Sequence, residues 1–255
     1  MTTFYRNPHS GNTKMTPCTA VNTVRRIRPV YWLPPIGIAI ALFSYLVPVT
    51  FWLRFLSLLR ARTLLVGMVL LFSLIAVSLV WATGQKIDAY LFHFFNMHGS
   101  RPRWLDRAMQ MITEFGNGIV TMGIALALFF FVNHQLSYEF IFGTLVLWLI
   151  VELIKVLVRR SRPFTKLSGV RVVGSRARGK SFPSGHTSQA FYMATIFVQY
   201  FQVHSATLVL FYTAALLVGI TRMYLGMHYP RDVLAGAILG TCWGLIGVTL
   251  HYPFF

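Results

Sequence analysis

The feature that most restricts this chain is a series of nearly uncharged apolar stretches, at about residues 63–82, 116–132, 138–158, 186–202, 206–221 and 232–250. Most approach the ~20 residues that a helix needs to cross the hydrocarbon core of a bilayer. In that medium every backbone N–H and C=O must find its partner within the segment, which selects helices. Of the 255 residues 56% are hydrophobic and only 11% charged, against about 25% charged in soluble domains. The expected fold class is therefore all-α, a polytopic membrane helical bundle with a six-span core, with little chain left for a soluble domain.

The flanks and links divide the chain further. Residues 1–30 read as a polar, basic tail and 31–62 as an N-terminal apolar segment with a basic linker, leaving 63–250 as the membrane domain. Within 31–53, Pro34, Pro35 and Pro48 leave three options open: a span, a re-entrant segment or an interfacial one. Arg54, Arg60 and Arg62 follow. No short apolar region with a small-residue cleavage site follows Arg25, Arg26 and Arg28, so a cleaved signal peptide is not expected. Residues 83–114 form a long connection, whose Tyr90-Leu-Phe-His-Phe-Phe95 stretch predicts an interfacial helix or aromatic belt. The links at 133–137 and 203–205 are short enough to force antiparallel neighbours. Counting crossings from the stretch at 63–82 places 83–114, 159–185 and 222–231 on one face of the membrane.

Lys and Arg number 23 against six acidic residues, for a formal charge of +17. Nine of the basic residues lie between Lys155 and Lys180, beside the ends of apolar stretches. That placement points to anionic lipid headgroups or a phosphorylated substrate rather than to nucleic acid. Cys18 and Cys242 lie in the tail and in a late apolar stretch. They are not expected to pair, and no zinc-type spacing is present.

Three segments carry candidate chemistry. In Lys155-Val-Leu-Val-Arg-Arg-Ser-Arg162-Pro163, the spacing i, i+4, i+7 would set Lys155, Arg159 and Arg162 on one face of a helix end, with the last turn unwound before the proline. A lysine at the apolar end of a span needs a partner; Glu152 and a bound anion are the two options. Taken alone, the cluster also fits a positive belt that snorkels to the interface. In Phe182-Pro183-Ser184-Gly185-His186-Thr187, Ser184 is placed to cap a helix and Gly185 to let a ligand approach. Free N–H groups at such a helix start form an anion site, with His186 positioned to give a proton to a leaving oxygen. In Thr221-Arg222 through His228 to Asp232, Pro230 suits the first turn of the final helix. Asp232 would accept from one ring nitrogen of His228, fix its tautomer and leave the other nitrogen as nucleophile. Taken alone, that pair also reads as a helix-capping carboxylate beside an incidental histidine. Together the segments supply a nucleophile, an orienting carboxylate, a general acid and a phosphate clamp.

At these spacings the chain resembles the type 2 phosphatidic acid phosphatase superfamily, which includes lipid phosphate phosphatases and undecaprenyl pyrophosphate phosphatases. The family signature is Lys, six residues, Arg-Pro; then Pro-Ser-Gly-His; then Ser-Arg, five residues, His, three residues, Asp. All spacings match here, with Thr221 in place of the usual serine as the one departure. The resemblance covers roughly residues 63–250. It implies a six-span core in which His228 attacks phosphorus, Asp232 orients it, and His186 protonates the leaving lipid oxygen and later helps activate water. It further implies that Lys155, Arg162, Ser184, Gly185 and Arg222 bind the phosphoryl oxygens, and that this cationic cradle replaces Mg²⁺, so no cofactor is expected. Arg159 and Arg160 are not signature positions and are given at most a supporting role. The implied substrate is a lipid phosphate or diphosphate reached from the bilayer.

A lipid phosphotransferase could use the same intermediate, and a non-catalytic scaffold that binds anionic lipid is the reading from another class. The scaffold gives no reason for His186, His228 and Asp232 to occur together. The basic 159–185 loop taken alone would lie on the cytoplasmic side. If 31–53 does not cross, the tail with Arg54, Arg60 and Arg62 sets eight basic residues on the opposite face, and part of the loop's count is discounted because Arg162 and its neighbours would bind substrate. The preferred expectation is a cell (inner) membrane protein with its site on the extracytoplasmic face.

Overall fold

The computed structural model describes residues 62–96, 101–202 and 205–251. The tail at 1–30, the apolar segment at 31–53, Arg54, Arg60 and Cys18 lie outside the described residues. Among the described residues nine helices follow in order: α1 (Thr63–Ser78), α2 (Ala82–Asn96), α3 (Arg103–Glu114), α4 (Gly118–Phe131), α5 (His134–Val158), α6 (Pro163–Lys166), α7 (Gly185–Tyr200), α8 (Ser205–Tyr224) and α9 (Pro230–His251). Among the described residues the architecture is all-helical.

The burial pattern is that of a protein in lipid. Phe131, Leu157 and Leu70 are 85%, 72% and 64% exposed, while Thr121, Ser137 and Thr195 are fully buried. Large apolar side chains on the outside with hydroxyls within suit a bilayer, where backbone and side-chain polar groups must be satisfied inside the bundle. The chain is an integral membrane protein. Six helices (α1, α4, α5, α7, α8 and α9) occupy the six expected places. The helix from His134, α8 and α9 are long and apolar enough to cross alone. The α1–α2 and α3–α4 pairs reach that threshold only together, bent by 98° and 57°. At 16 residues α7 is short for a span, and it is the most enclosed helix, with Thr187–Ala190 and Tyr192–Ile196 buried.

Two local expectations change. The link expected at 133–137 is shorter, because Asn133 caps α5, its side-chain oxygen accepting from the N–H groups of Gln135 (2.7 Å) and Leu136 (3.3 Å). The aromatic stretch at 90–95 falls within α2, which turns nearly perpendicular to α1. It is divided by helical period: Asp88, Phe92 and Asn96, at i, i+4 and i+8, are buried, while Tyr90 and Phe94 are exposed.

The bundle is assembled around α7 and α9. Lipid tails are as apolar as leucine, so helices associate in a membrane through close packing and small residues. A stripe of glycines on α9 provides it. A side chain at Gly236, Gly240 or Gly244 would run into Ser184, Ser188 and Thr195 of α7 or the residue before it. The contact fixes where α9 begins relative to where α7 begins. The main-chain N–H of Ser184 donates to the carbonyl of Asp232 at 3.0 Å, locking the two helix starts together. Gly240→Val is expected to cost at least about 1–3 kcal/mol through overpacking. It should lower the melting temperature in detergent or abolish monodisperse protein, whereas Gly118→Ala, with open space around it, should leave both unchanged.

Candidate active site

The first segment departs from a continuous helix. Arg159 adopts a left-handed conformation (φ 52°) and ends α5 at Val158, and Pro163 starts α6 with Arg162 extended before it. Lys155, Arg159 and Arg162 therefore do not share one helix face. Arg159 is exposed, its Nε donating to the Val156 carbonyl, while Arg160 and Arg162, two apart in extended chain, are both buried. Lys155 donates to Glu152 at 2.7 Å, so the nearby acid is its partner in this structure.

Arg162 reaches the third segment. Its guanidinium donates to the carbonyls of Arg178 (3.0 Å), Gly179 (3.2 Å) and Met227 (3.1 Å). It also lies 3.2 Å from His228 Nε2. Because a guanidinium only donates, Nε2 faces it with a lone pair and Nδ1 carries the proton. That proton goes to the Ser181 carbonyl at 2.8 Å. The expected direct bond from the ring to Asp232 is replaced: Oδ2 lies 3.8 Å from Nδ1, within ion-pair reach but beyond a hydrogen bond. Asp232 instead accepts from Ser181 Oγ (2.5 Å), the Tyr229 N–H (2.9 Å) and Arg160 (2.6 Å). Ser181 thus stands between the imidazole and the carboxylate, bonded to both.

Ser184 occupies the N-cap position of α7, though its hydroxyl pairs with Thr187 Oγ1 at 2.8 Å rather than capping. Gly185 and His186 form the first turn of α7. A Cβ at Gly185 would lie 3.9 Å from Lys155 Nζ, in ordinary contact, which puts the lysine head beside the helix start. Gly116, in the α3–α4 turn, packs where a side chain would come within 2.5 Å of the His186 carbonyl. Arg222, in the last turn of α8, donates to Thr113 Oγ1 at 2.9 Å, and its carbonyl accepts from the N–H groups of Met227 and His228, which fixes the loop carrying the imidazole. Thr221 directs its hydroxyl to the Val218 carbonyl at 2.6 Å, a bond that serine also makes.

These residues fall into two groups. Lys155, Gly185 and His186 line a cavity of about 600 Å³ between α4, α5 and α7, whose far wall is Ile119, Met122, Leu145 and Trp148. His228, Asp232, Arg162, Ser184 and Arg222 are buried behind it. His186 lies within electrostatic range of Lys155, Arg162, Arg222 and His228, which joins the two groups.

Charge pairing separates the cations. Arg160 and Arg231 pair with Asp88 and Asp232, and Arg171 with Asp106. Among the described residues, Arg162 and Arg222 have no carboxylate within ion-pair distance although both are about 95% buried. Two buried guanidiniums held only by carbonyls, a hydroxyl and an imidazole make a strong anion site. Sequence reasoning gave Arg160 at most a supporting role and did not single out Ser181 or Asp88. For Asp88 a signal existed, since an acid in so apolar a chain requires a cation; nothing in the sequence marks Ser181.

Burial, with Arg162 and Arg222 acting against Asp232, pushes the His228 imidazole down to about 4. Its ring is therefore neutral at pH 7. Histidine-selective ¹⁵N spectra, with the signal assigned by its loss in His228→Ala, should show Nε2 bare and Nδ1 protonated at pH 7. Protonation should begin only as the pH falls toward about 4; a midpoint near 6.5 would contradict this arrangement.

The PAP2 superfamily profile matches residues 136–255, which hold all three motif segments. Over 181 residues the chain is 27% identical to the lipid A 1-phosphatase of Rhizobium etli, covering 59% of this chain and 73% of that protein. Over 187 residues it is 23% identical to the undecaprenyl-diphosphatase of Sulfolobus acidocaldarius, covering 72% and 89%. The crystal structure of a transmembrane PAP2-type phosphatidylglycerolphosphate phosphatase from Bacillus subtilis superposes with a TM-score of 0.65 at 23% identity, covering 75% of this chain and 97% of that one. At that identity the likeness speaks for the fold. The stretch at 136–255 thus resembles the PAP2 superfamily in profile and motif spacing, and the fold is shared with a PAP2-type membrane phosphatase.

Proposed function

We propose that this phosphoric ester hydrolase removes the terminal phosphate of a lipid phosphate or diphosphate through a phosphohistidine formed at His228 Nε2. The observation that carries the reading is a bare imidazole nitrogen 3.2 Å from the Arg162 guanidinium, which has no carboxylate partner among the described residues, together with a cavity lined by the Lys155–Glu152 pair and His186 as well as by apolar side chains. The enzyme class is supported by the superfamily and by relatives named as phosphatases.

In the proposed reaction the phosphate enters at Lys155 and the start of α7, with the lipid chain along the α4–α5 wall. Its oxygens accept from Arg162, Arg222 and Lys155, and from N–H groups beyond Ser184 and Gly185. Drawing Arg162 onto the phosphate frees Nε2. The Nε2 lone pair then forms a bond to phosphorus as the bond to the lipid oxygen breaks, and His186 gives that oxygen a proton. The ring becomes cationic, with its Nδ1 proton held by Ser181 and its charge faced by Asp232. In the second step His186 takes a proton from water, the hydroxyl oxygen bonds to phosphorus, the P–N bond breaks and phosphate leaves. The three cations neutralise the transferred group, so the proposed mechanism is metal-independent.

The test is phosphate release by purified protein in excess EDTA, from undecaprenyl diphosphate, phosphatidic acid or phosphatidylglycerophosphate, with no acceptor alcohol added. Release is expected from at least one lipid, and His228→Ala should lower it by at least about 10³-fold. Turnover retained by His228→Ala would sink the phosphohistidine. Release that appears only when an alcohol is supplied would move the assignment to a phosphotransferase.

The proposed location is the cell (inner) membrane with the site facing outward. Ser175 is exposed in the loop that Arg162 binds. Ser175→Cys in intact cells should react with a membrane-impermeant maleimide. Labelling only after permeabilisation would reverse the orientation.

A further inference from the structure

We propose that Arg160 and Asp88 are positioning residues for phosphoryl transfer. In this inference a buried chain of charge, Asp88–Arg160–Asp232, fixes the carboxylate behind His228 and sets the electrostatic potential at its imidazole. The inference rests on the reading of His228 as nucleophile and Asp232 as its carboxylate.

Arg160 is gripped on three sides. One arm of its guanidinium donates to Asp232 Oδ1 at 2.6 Å, and the other to Asp88 Oδ2 and to Gln85 Oε1 at 3.0 Å. Its plane lies over the ring of Tyr229, 4.2 Å from the centroid, and Tyr229 is the residue after His228. Two separate carboxylates can be bridged in this way by the planar fork of an arginine but not by the single head of a lysine. The second oxygen of Asp232 is taken by Ser181 and by the Tyr229 N–H, so the carboxylate has no freedom left to swing.

Asp88 secures the far end. It accepts from Arg231 Nε at 2.8 Å and from the Arg231 main-chain N–H at 3.3 Å. This places a carboxylate against the positive start of α9, one residue from Asp232. The Arg160 guanidinium is taken up by Asp232, Asp88 and Gln85, and the Asp88 carboxylate by Arg160 and Arg231, so their effect on the reaction is assigned to Asp232 rather than to contact with the phosphate.

The signs of charge alternate with distance from the imidazole: Asp232 negative, Arg160 positive, Asp88 negative. Arg162, Arg222 and His186 also face His228, and they are common to every variant below. Removing the Arg160 cation makes the potential at the ring more negative and favours its protonated form. Removing the Asp88 anion does the opposite. A role limited to holding helices together would weaken the protein without producing shifts of opposite sign.

The experiment compares Asp88→Asn, Asp88→Glu, Arg160→Met and His228→Ala in the full chain, purified in detergent. It uses a lipid that the wild type hydrolyses. Dividing each profile by the wild-type profile cancels the ionisation of the substrate itself. For Asp88→Asn and Arg160→Met, kcat should fall about 10- to 100-fold while KM stays within about two-fold. The acid limb of kcat/KM should move to higher pH in Arg160→Met and to lower pH in Asp88→Asn. Asp88→Glu should recover most of the rate with the wild-type limb. If His228→Ala is dead but the Asp88 and Arg160 profiles superimpose on the wild type after scaling, or only KM changes, the positioning role is overturned. If His228→Ala itself turns over, it is the nucleophile reading that fails. Should Arg160→Met not elute as monodisperse protein, the Asp88→Asn and Asp88→Glu pair decides by the same two readouts.

Discussion

Charge carried into an apolar surround must be cancelled close by, and this chain has very few acids with which to do it. Two of its six acidic residues, Asp88 and Asp232, are buried against Arg160 and Arg231. That four-charge cluster ties α2, the stretch after α5 and the start of α9, with Arg231 also donating to Ser78 at the end of α1. Removing one member would leave an uncompensated charge in a medium where the remaining partners cannot find water. The cluster thereby decides where three chain segments meet, and the imidazole of His228 is placed by that meeting point.

The balance of charge also explains why the site is cationic. With Asp88 and Asp232 committed to Arg160 and Arg231, and Asp106 held by Arg171 and Tyr224, no buried carboxylate remains for Arg162 or Arg222 among the described residues. Their hydrogen bonds go to neutral groups, which orient a guanidinium without neutralising it. In the proposed function an anion supplied from outside completes the balance. The helix start at Ser184–His186 adds its partial positive charge on the same side. The glycine stripe of α9 holds that helix start in register with Asp232, so packing and electrostatics converge on one pair of helix ends.

Much of this was legible in the sequence, because it depends on short-range rules. The apolar stretches mark where helices occur, since a bilayer admits little else. Pro230 does start α9, with His228 just before it and Asp232 in its first turn. Glu152 is the partner of Lys155, as its i−3 position suggested. The three loops expected on one face are joined through α2, where Asn96 donates to the carbonyls of Arg171 and Tyr224 and Asp88 accepts from Arg160 and Arg231. Where the reading erred, it extended a local rule past its range. The i, i+4, i+7 face required α5 to continue beyond Val158, but the left-handed turn at Arg159 ends it and exchanges which arginine faces inward.

The sequence by itself determined the helical class, the order of the helices and the inventory of candidate site residues. These follow from hydropathy, helix-start chemistry and motif spacing, all of which act over a few residues. Only the tertiary structure decided which groups touch. Asp232 meets Arg160 and Ser181 across 72 and 51 residues of sequence, and Ser181, not Asp232, takes the proton of His228. The shape of the cavity depends likewise on how α4, α5 and α7 diverge. Such contacts are set by packing and charge balance among segments distant in the chain, and no periodicity or spacing within one segment encodes them.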